Sequence, residues 1–294
     1  MPEGRRVTLR RWLRFAVLQE TRFLMQVLRE FLNDGCVEAA AALSYTTVLS
    51  LVPMLAVMLA SLALVPELYG WHVAIEDFVF ENFIPARGIQ VQTYLRTFVA
   101  GAEGLQSLGL VALAVSAIVL MATVESAFNA IWEVTTHRAW WHRGWLYVAI
   151  LALGPLALTA GIAATALAAA LPIFQTQLER APSVIALSMV PFLATWLVFV
   201  ASYKLIPYRS VAWRAALSGG ALAALLFAGA KQGFAHYLTA FPQQEVIYGA
   251  FAAVPLFLLW LYLSWLVILF GAEFTQVLGQ RMSLSGARSE QRRA

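Results

Sequence analysis

Six long apolar stretches are the feature that most constrains the fold of this 294-residue chain. A helix that crosses a bilayer needs about 20 predominantly apolar residues, and every stretch reaches that length. Only 12% of the residues are charged and 61% are hydrophobic, against about 25% and about 45–50% in soluble domains. The sequence therefore predicts an all-α fold, a polytopic membrane helical bundle of six transmembrane helices, and excludes a soluble enzyme. The predicted spans are 37–65, 108–132, 145–171, 183–206, 213–239 and 247–277.

The positions of lysine and arginine predict how this bundle is oriented, because cytoplasmic loops are enriched in positive charge. Sixteen of the 20 basic residues fall in the N-terminal segment, the second-to-third loop, the fourth-to-fifth connection and the C-terminal tail. We therefore expect both termini in the cytoplasm, which requires an even number of spans.

The regions outside the spans have distinct compositions. The N-terminal segment carries apolar side chains at helical spacing with arginines on its other faces, which predicts an amphipathic helix on the membrane surface. Pro85 and Gly88 divide the acidic outer loop into two predicted short helices, which form either a cap over the bundle or a lid or partner-docking element. The predicted divisions are a cytoplasmic amphipathic segment at 1–35, a membrane domain at 36–277 with its helical outer loop at 67–107, and a cytoplasmic basic tail at 278–294.

Polar side chains inside the predicted spans are the candidates for function, because ionisable groups in a membrane are costly and usually face the bundle interior. Most of them fall at one depth, near the cytoplasmic ends of spans one, two and six. Glu38 and Glu125 are expected to lie deepest, whereas Lys231 falls in the outer half of span five. The candidates for substrate binding or ion coupling are Asp34, Glu38, Ser44, Tyr45, Glu125, Asn129, Lys231 and Glu273.

Two interpretations of this polar level remain open. The carboxylates either pair with arginines of the connecting loops, such as Arg209, and clamp the helix ends, or line a cytoplasmic cavity that binds a charged or amphipathic substrate. Lys231 either snorkels to the outer interface or faces inward, towards Glu245 or a lipid phosphate. Pro53 and Pro255 are predicted helix kinks, which occur both at binding sites and as packing devices.

The sequence lacks the motifs of the common catalytic sites. It has four histidines and one cysteine, and HExxH, CxxC, P-loop, GxGxxG and GxSxG patterns are absent. We therefore predict no catalytic residue, no metal site, no cofactor and no enzyme activity. The arginines are explained by topology, so we expect membrane lipids rather than nucleic acid as partners. The single cysteine, Cys36, excludes an intrachain disulfide.

Four motifs resemble the YihY/BrkB family of bacterial inner-membrane proteins. They are AAALSYTTVLSLVPMLAVMLA, MATVESAFNAIWEV, YKLIPYRSVAWRAALSGGALAALL and IYGAFAAVPLFLLWLYLSWLVILFGAEFT. The resemblance covers roughly residues 30–280 and implies a six-span protein of the bacterial inner membrane. The family's old label as a transfer-RNA-processing ribonuclease finds no support in the residues, which offer no clustered metal ligands. The matching motif positions are Ser44, Tyr45, Pro53, Glu125, Asn129, Trp132, Tyr248, Gly249, Pro255 and Glu273.

These features together predict a transporter or flippase-like protein for an amphipathic envelope substrate, such as a lipid or a lipid precursor. Transport would be passive or ion-coupled because the sequence has no ATP site, with Glu38 or Glu125 as the proton-handling carboxylate. The alternative is a non-transporting membrane scaffold that organises envelope partners through the outer loop. The sequence leaves the oligomeric state open.

Overall fold

The regular elements that the structure describes are all helices. The structure is a computed structural model, and it describes residues 21–63, 107–134, 144, 181–240 and 253–291. The helices are α1 (the helical residues 21–33), α2 (Cys36–Ala63), α3 (Ser107–Ile131), α4 (Ala181–Leu205), α5 (Trp213–Ala240) and α6 (Ala253–Gln291).

Four of the predicted spans correspond closely to observed helices. The described ranges of α2, α3, α4 and α5 overlap the predicted spans at 37–65, 108–132, 183–206 and 213–239. Helix α6 continues to Gln291, into the predicted basic tail at 278–294. The predicted span at 145–171, and the outer loop at 67–107 except for its last residue, lie outside the described residues.

The exposure of the side chains is typical of a membrane protein. Glu125 and Glu273 are 1% and 0% exposed, whereas Leu197 and Leu225 are 58% and 61% exposed. Water would favour the opposite arrangement, while a lipid environment favours charge inside the bundle and leucine outside it. Two described helices, Trp213–Ala240 and Val254–Leu284, are long and apolar enough to cross a membrane. The prediction of an all-helical membrane protein is confirmed.

Helix α6 lies at the centre of the described bundle. It packs against α2 on one side and α5 on the other, while α3 flanks α2 and α4 flanks α5. Helix α5 approaches α6 closely because glycines face each other across the contact. A Cβ atom at Gly219 would overlap the side chain of Thr275, and one at Gly271 would overlap the Tyr203 hydroxyl and Ala223. The small residues of α5 therefore act as close packing positions.

A series of aromatic side chains fills the core between α3, α4, α5 and α6. Their ring centroids are 5.2 to 6.3 Å apart from one neighbour to the next. The Tyr203 hydroxyl at the middle of the series donates to the carbonyl of Ile268, 2.8 Å away. This part of the bundle is a packed aromatic core. The series runs through Trp132, Phe128, Tyr203, Phe199, Phe227, Trp260, Phe234 and Tyr237.

Helix α1 presents two apolar faces with different surroundings. Phe23 and Phe31 make edge contacts with Phe274 and Phe270 of α6, at centroid distances of 5.1 and 5.6 Å. The opposite face of α1 is exposed and carries leucine and methionine. The predicted single apolar face is therefore divided: part of it docks on the bundle, and part remains open. The exposed residues are Leu24, Met25, Leu28 and Leu32.

Candidate functional site

Four carboxylates at one end of the bundle lie near enough for their charges to interact, and we call this region the acidic end. They are Glu30 of α1, Asp34 after α1, Glu133 after α3, and Glu273 of α6, and the negative charges of the first three act on Glu273. The structure therefore brings together two of the predicted site residues, Asp34 and Glu273, from positions far apart in the chain.

A glycine turn places Asp34 at the acidic end. Gly35 follows α1 with a φ of 66°, a left-handed conformation that glycine adopts without steric cost. The chain can then reverse into α2, whose first turn begins with the hydrogen bond from the Ala39 amide to the Gly35 carbonyl, 2.9 Å long. Partial burial, together with the charges of Glu30 and Glu133, raises the pKa of Asp34 above its ordinary value of 3.8.

Glu133 reaches the acidic end through a comparable helix end. The Glu133 amide donates to the Ala130 carbonyl and the Val134 amide donates to the Asn129 carbonyl, both at 2.9 Å. This pair of bonds is the Schellman arrangement, in which the residue after the helix adopts a left-handed conformation. Glu133 does so with a φ of 49°, although a side chain there costs about 1–2 kcal/mol. A strained backbone therefore holds this carboxylate in place.

Glu273 is the most unusual of the four carboxylates. It is 0% exposed, and neither of its carboxylate oxygens has a hydrogen-bond partner. Gln276, one turn further along α6 on the same face, is 7% exposed and its Oε1 also lacks a partner. Within the described part of the chain, these three oxygens are the buried side-chain polar atoms without a partner. An isolated buried charge is strongly unfavourable, so this region is suited to binding a cation or a proton.

Glu125 and Asn129 of α3 are buried as well, at 1% and 7% exposure. The Asn129 Oδ1 accepts a 2.9 Å hydrogen bond from the Tyr208 amide, and the Arg209 guanidinium donates to the Trp132 carbonyl at 3.0 Å. Both bonds tie the end of α3 to the connection between α4 and α5. Asn129 and Arg209 therefore connect the helix ends through main-chain groups, and the predicted carboxylate–arginine pairs stay a prediction.

The polar stripe of α2 serves mainly for packing. The Ser44 hydroxyl donates to the Ala40 carbonyl of its own helix at 2.6 Å. The Ser50 hydroxyl donates to the Ser116 carbonyl of α3, and the Trp265 indole of α6 donates to the Thr47 hydroxyl, both at 3.0 Å. Direct hydrogen bonds thus connect α2 with α3 and with α6.

Two predicted candidates lie on the outer face of α2. Tyr45 is 63% exposed, and Glu38, two helical turns before it, is exposed on the same face. Glu38 lies off the buried face of α2, which passes through Cys36, Ala40 and Leu43. Its predicted depth in the membrane stays a prediction.

The remaining candidates are dispersed. Lys231 is half-buried on α5, and Glu245, its proposed partner, lies outside the described residues. Helix α2 continues through Pro53, and Pro255 is the third residue of the described range of α6. The predicted kinks at the two prolines stay predictions.

Sequence reasoning missed Gln276 and did not include Glu30 or Glu133 among the candidates. The signal for Gln276 was its spacing of three residues from Glu273 in a helix. Glu30 and Glu133 carried no such signal, because only the turn after α1 and the left-handed end of α3 bring them near α6. No group of three or more histidine, cysteine, aspartate or glutamate residues in the described ranges could hold a metal ion.

The chain is similar to a group of bacterial membrane proteins. A UPF0761 membrane protein of Pseudomonas aeruginosa is 42% identical over 250 residues, which cover 85% of this chain and 61% of the relative. That of Alkalilimnicola ehrlichii is 42% identical over 269 residues, covering 91% and 59%. That of Alcanivorax borkumensis is 38% identical over 257 residues, covering 87% and 60%. The chain thus spans about three fifths of the length of these curated relatives.

A comparison with protein families gives a match over most of the chain. The family described as Virulence factor BrkB matches residues 27–294. No solved structure matches the chain. The extent of the family match, together with the identity to the UPF0761 membrane proteins, confirms the resemblance carried by the four motifs. The chain belongs to the YihY/BrkB family of membrane proteins.

Proposed function

We propose that this protein is a transporter or flippase-like protein that moves an amphipathic envelope substrate, a lipid or a lipid precursor, across the bacterial inner membrane. The observation that carries the proposal is the burial of Glu125 and Glu273 inside a bundle whose outer surface is leucine-rich. Carboxylates in a membrane interior are costly and are retained mainly along substrate or ion pathways. The same proposal assigns no enzyme activity and no nucleic-acid partner to the chain.

The described packing suggests which side of the bundle would carry the substrate. The aromatic series runs from the end of α3 through α4 and α5 and includes Trp260 of α6. Helix α2 contributes no residue to this series, whereas the buried polar side chains lie mainly on α2, α3 and α6. We therefore assign the polar substrate headgroup to the α2–α3–α6 side, with Glu125 as the carboxylate that faces it. Glu273 is the ion-handling carboxylate, in place of Glu38, since Glu38 is exposed.

The proposal includes six spans with both termini in the cytoplasm, and a membrane-surface position for α1. The exposed leucines of α1 and its exposed Arg22 and Arg29 suit an interface between acyl chains and anionic headgroups. A C-terminal fusion tests the orientation. Green fluorescent protein fused there should fluoresce, and alkaline phosphatase fused there should be inactive; the reverse pair of results would contradict the topology.

Lipid movement in purified vesicles tests the function itself. Wild-type protein in liposomes should speed the exchange of a nitrobenzoxadiazole-labelled phospholipid between leaflets, measured as increased quenching by external dithionite. Glu125→Gln should return the rate to that of protein-free liposomes, while Glu290→Gln, which removes a carboxylate from the end of α6, should retain the wild-type rate. A wild-type rate equal to that of empty liposomes would contradict the proposal for phospholipids.

The folding state of Glu125→Gln decides between the transport and clamp interpretations. A variant that remains monodisperse but inactive supports a role in transport. A variant that unfolds favours Glu125 as a structural residue. If wild-type protein moves no lipid and loses co-purifying partners when residues 71–104 are deleted, the scaffold alternative replaces transport.

A further inference from the structure

The acidic end contains a side-chain pair that lacks a ligand. Glu273 is 0% exposed and Gln276 is 7% exposed, and together they present three oxygens without a hydrogen-bond donor. Hydrogen bonds satisfy almost all buried polar groups in folded proteins. Three unsatisfied oxygens within one turn of a single helix therefore point to a missing positively charged or hydrogen-donating species.

The charged groups around Glu273 are predominantly acidic. The charges of Glu30 on α1, Asp34 in the following turn and Glu133 at the end of α3 all act on Glu273. The charge of Glu38 on α2 acts on the Cys36 thiol, as the charge of Glu273 on α6 does. An anionic Glu273 would therefore be buried without a hydrogen-bond donor among groups of like charge.

The basic side chains near the acidic end either contact other groups or are exposed. Lys204 donates to the Val211 carbonyl, and Arg209 donates to the Trp132 carbonyl at 3.0 Å. Arg281 of α6 lies over the ring of Phe23, with its guanidinium carbon 4.3 Å from the ring centroid, while Arg22 and Arg29 of α1 are exposed. Glu273 itself has no basic partner among the described residues.

A proton is the ligand that would both satisfy the unpaired oxygens and remove the repulsion between like charges. Protonation neutralises Glu273 and turns one of its oxygens into an O–H donor. The Gln276 Oε1, one turn away on the same helix face, is an acceptor in need of a donor. A metal ion would need several more oxygen ligands than this pair offers, and the described residues provide no metal-binding group of three acidic, histidine or cysteine side chains.

We propose that the Glu273 carboxyl group, with the Gln276 Oε1 as its hydrogen-bond acceptor, is a proton-binding site that is occupied when the acidic end is packed. Resting on the proposed function, this site supplies the coupling ion for transport. Loss of the proton leaves a negative charge on Glu273 that repels Asp34 and Glu133. The turn between α1 and α2 and the end of α3 then separate from α6, which opens the acidic end.

Infrared spectroscopy of the purified protein tests proton occupancy without any substrate. At neutral pH, wild-type protein should show the C=O stretching band of a protonated carboxyl group. The band should vanish in Glu273→Gln and persist in Glu290→Gln. In Gln276→Leu it should persist at a higher frequency, because the acceptor is lost. Identical carboxyl bands in wild type and Glu273→Gln would overturn the proposal.

The single cysteine reports whether the acidic end opens. Cys36 is 1% exposed and lies near enough to Glu273 for its thiol to sense that charge. The ratio of maleimide labelling rates, wild type over Glu273→Gln, should be near one at acidic pH and rise several-fold as the pH increases. Glu290→Gln should follow wild type. A ratio that stays constant with pH would overturn the opening step.

The two proposals fail separately. An absent infrared band with intact lipid movement removes the proton site and leaves transport standing. A clear band that depends on Glu273, without lipid movement, removes transport and leaves the proton site standing. Stabilisation by sodium at neutral pH that Glu273→Gln abolishes, in the absence of the band, would assign a metal cation and overturn proton binding.

Discussion

Glu133 and Gly35 occupy equivalent positions after α3 and α1, and both have a positive φ, of 49° and 66°. Glycine tolerates this conformation, whereas a side chain is strained by it. The strained residue is the one whose carboxylate faces Glu273. Local strain of this kind is often retained where a side chain has a role, which fits the assignment of Glu133 to the acidic end.

Relieving that strain should stabilise the protein. We expect Glu133→Gly to raise the free energy of unfolding by about 0.5–1 kcal/mol, since the gain at a positive φ exceeds the entropy that glycine adds to the unfolded chain. Titration with sodium dodecyl sulfate in mixed micelles measures the change. Glu133→Gln keeps the strain but removes the charge, so equal stability of the two variants would contradict the backbone explanation.

Asp34 should make stability depend on pH. Its pKa is raised above 3.8 in the folded protein, so the folded state binds its proton more tightly than the unfolded state does. Its ionised form therefore destabilises the fold, and stability falls as pH rises from 3.8 through the raised pKa. Asp34→Asn should unfold at a higher temperature than wild type at neutral pH, and this advantage should shrink on acidification. An advantage that is constant with pH would refute the assignment.

The helices pair at positions that depend on side-chain size. Gly271 of α6 lies against the Tyr203 hydroxyl and Ala223, whereas a Cβ at Gly229 of α5 would meet nothing within 4 Å. Gly271→Ala should therefore lower the free energy of unfolding by about 1–3 kcal/mol through overpacking. Thermal unfolding followed by size-exclusion chromatography measures the loss. Gly229→Ala is the matched control and should be neutral or slightly stabilising; equal effects of the two variants would contradict the observed helix contact.

Across the described molecule, leucine side chains are exposed on the outer surface, whereas the carboxylates of Glu125 and Glu273 are buried. Leu225, at the middle of α5, is 61% exposed, and Leu284, at the end of the apolar part of α6, is 64% exposed. If lipid surrounds α5, Leu225→Arg should cost about 2.5–3.5 kcal/mol and reduce the amount of folded protein in the membrane fraction. Leu284→Arg should be tolerated because the arginine can reach the interface. Equal yields of both variants would argue against a lipid-facing Leu225.

Prediction from the sequence worked best where a property depends on one helix alone. The length of each apolar stretch predicted the presence of helices α2 to α5, because a bilayer requires a minimum number of apolar residues. Burial was harder to predict. Glu38 and Glu125 were both candidates because each is a charged residue in a predicted span. In the structure, the side chain of Glu38 is exposed and that of Glu125 is buried. These helices are apolar on nearly all sides. Their sequences therefore do not indicate which side packs against a neighbouring helix.

The sequence by itself determined the membrane class, the helical elements and part of the set of polar side chains on which function can depend. Composition and span length decide these because the bilayer acts on each helix separately. Only the tertiary structure decided that Glu273 and Gln276 are the unsatisfied pair, and that the charges of Glu30, Asp34 and Glu133 act on Glu273. That arrangement requires a left-handed turn after α1, another after α3, and the rotation of α6 about its axis. Packing between helices sets all three, and no single stretch of the chain encodes them.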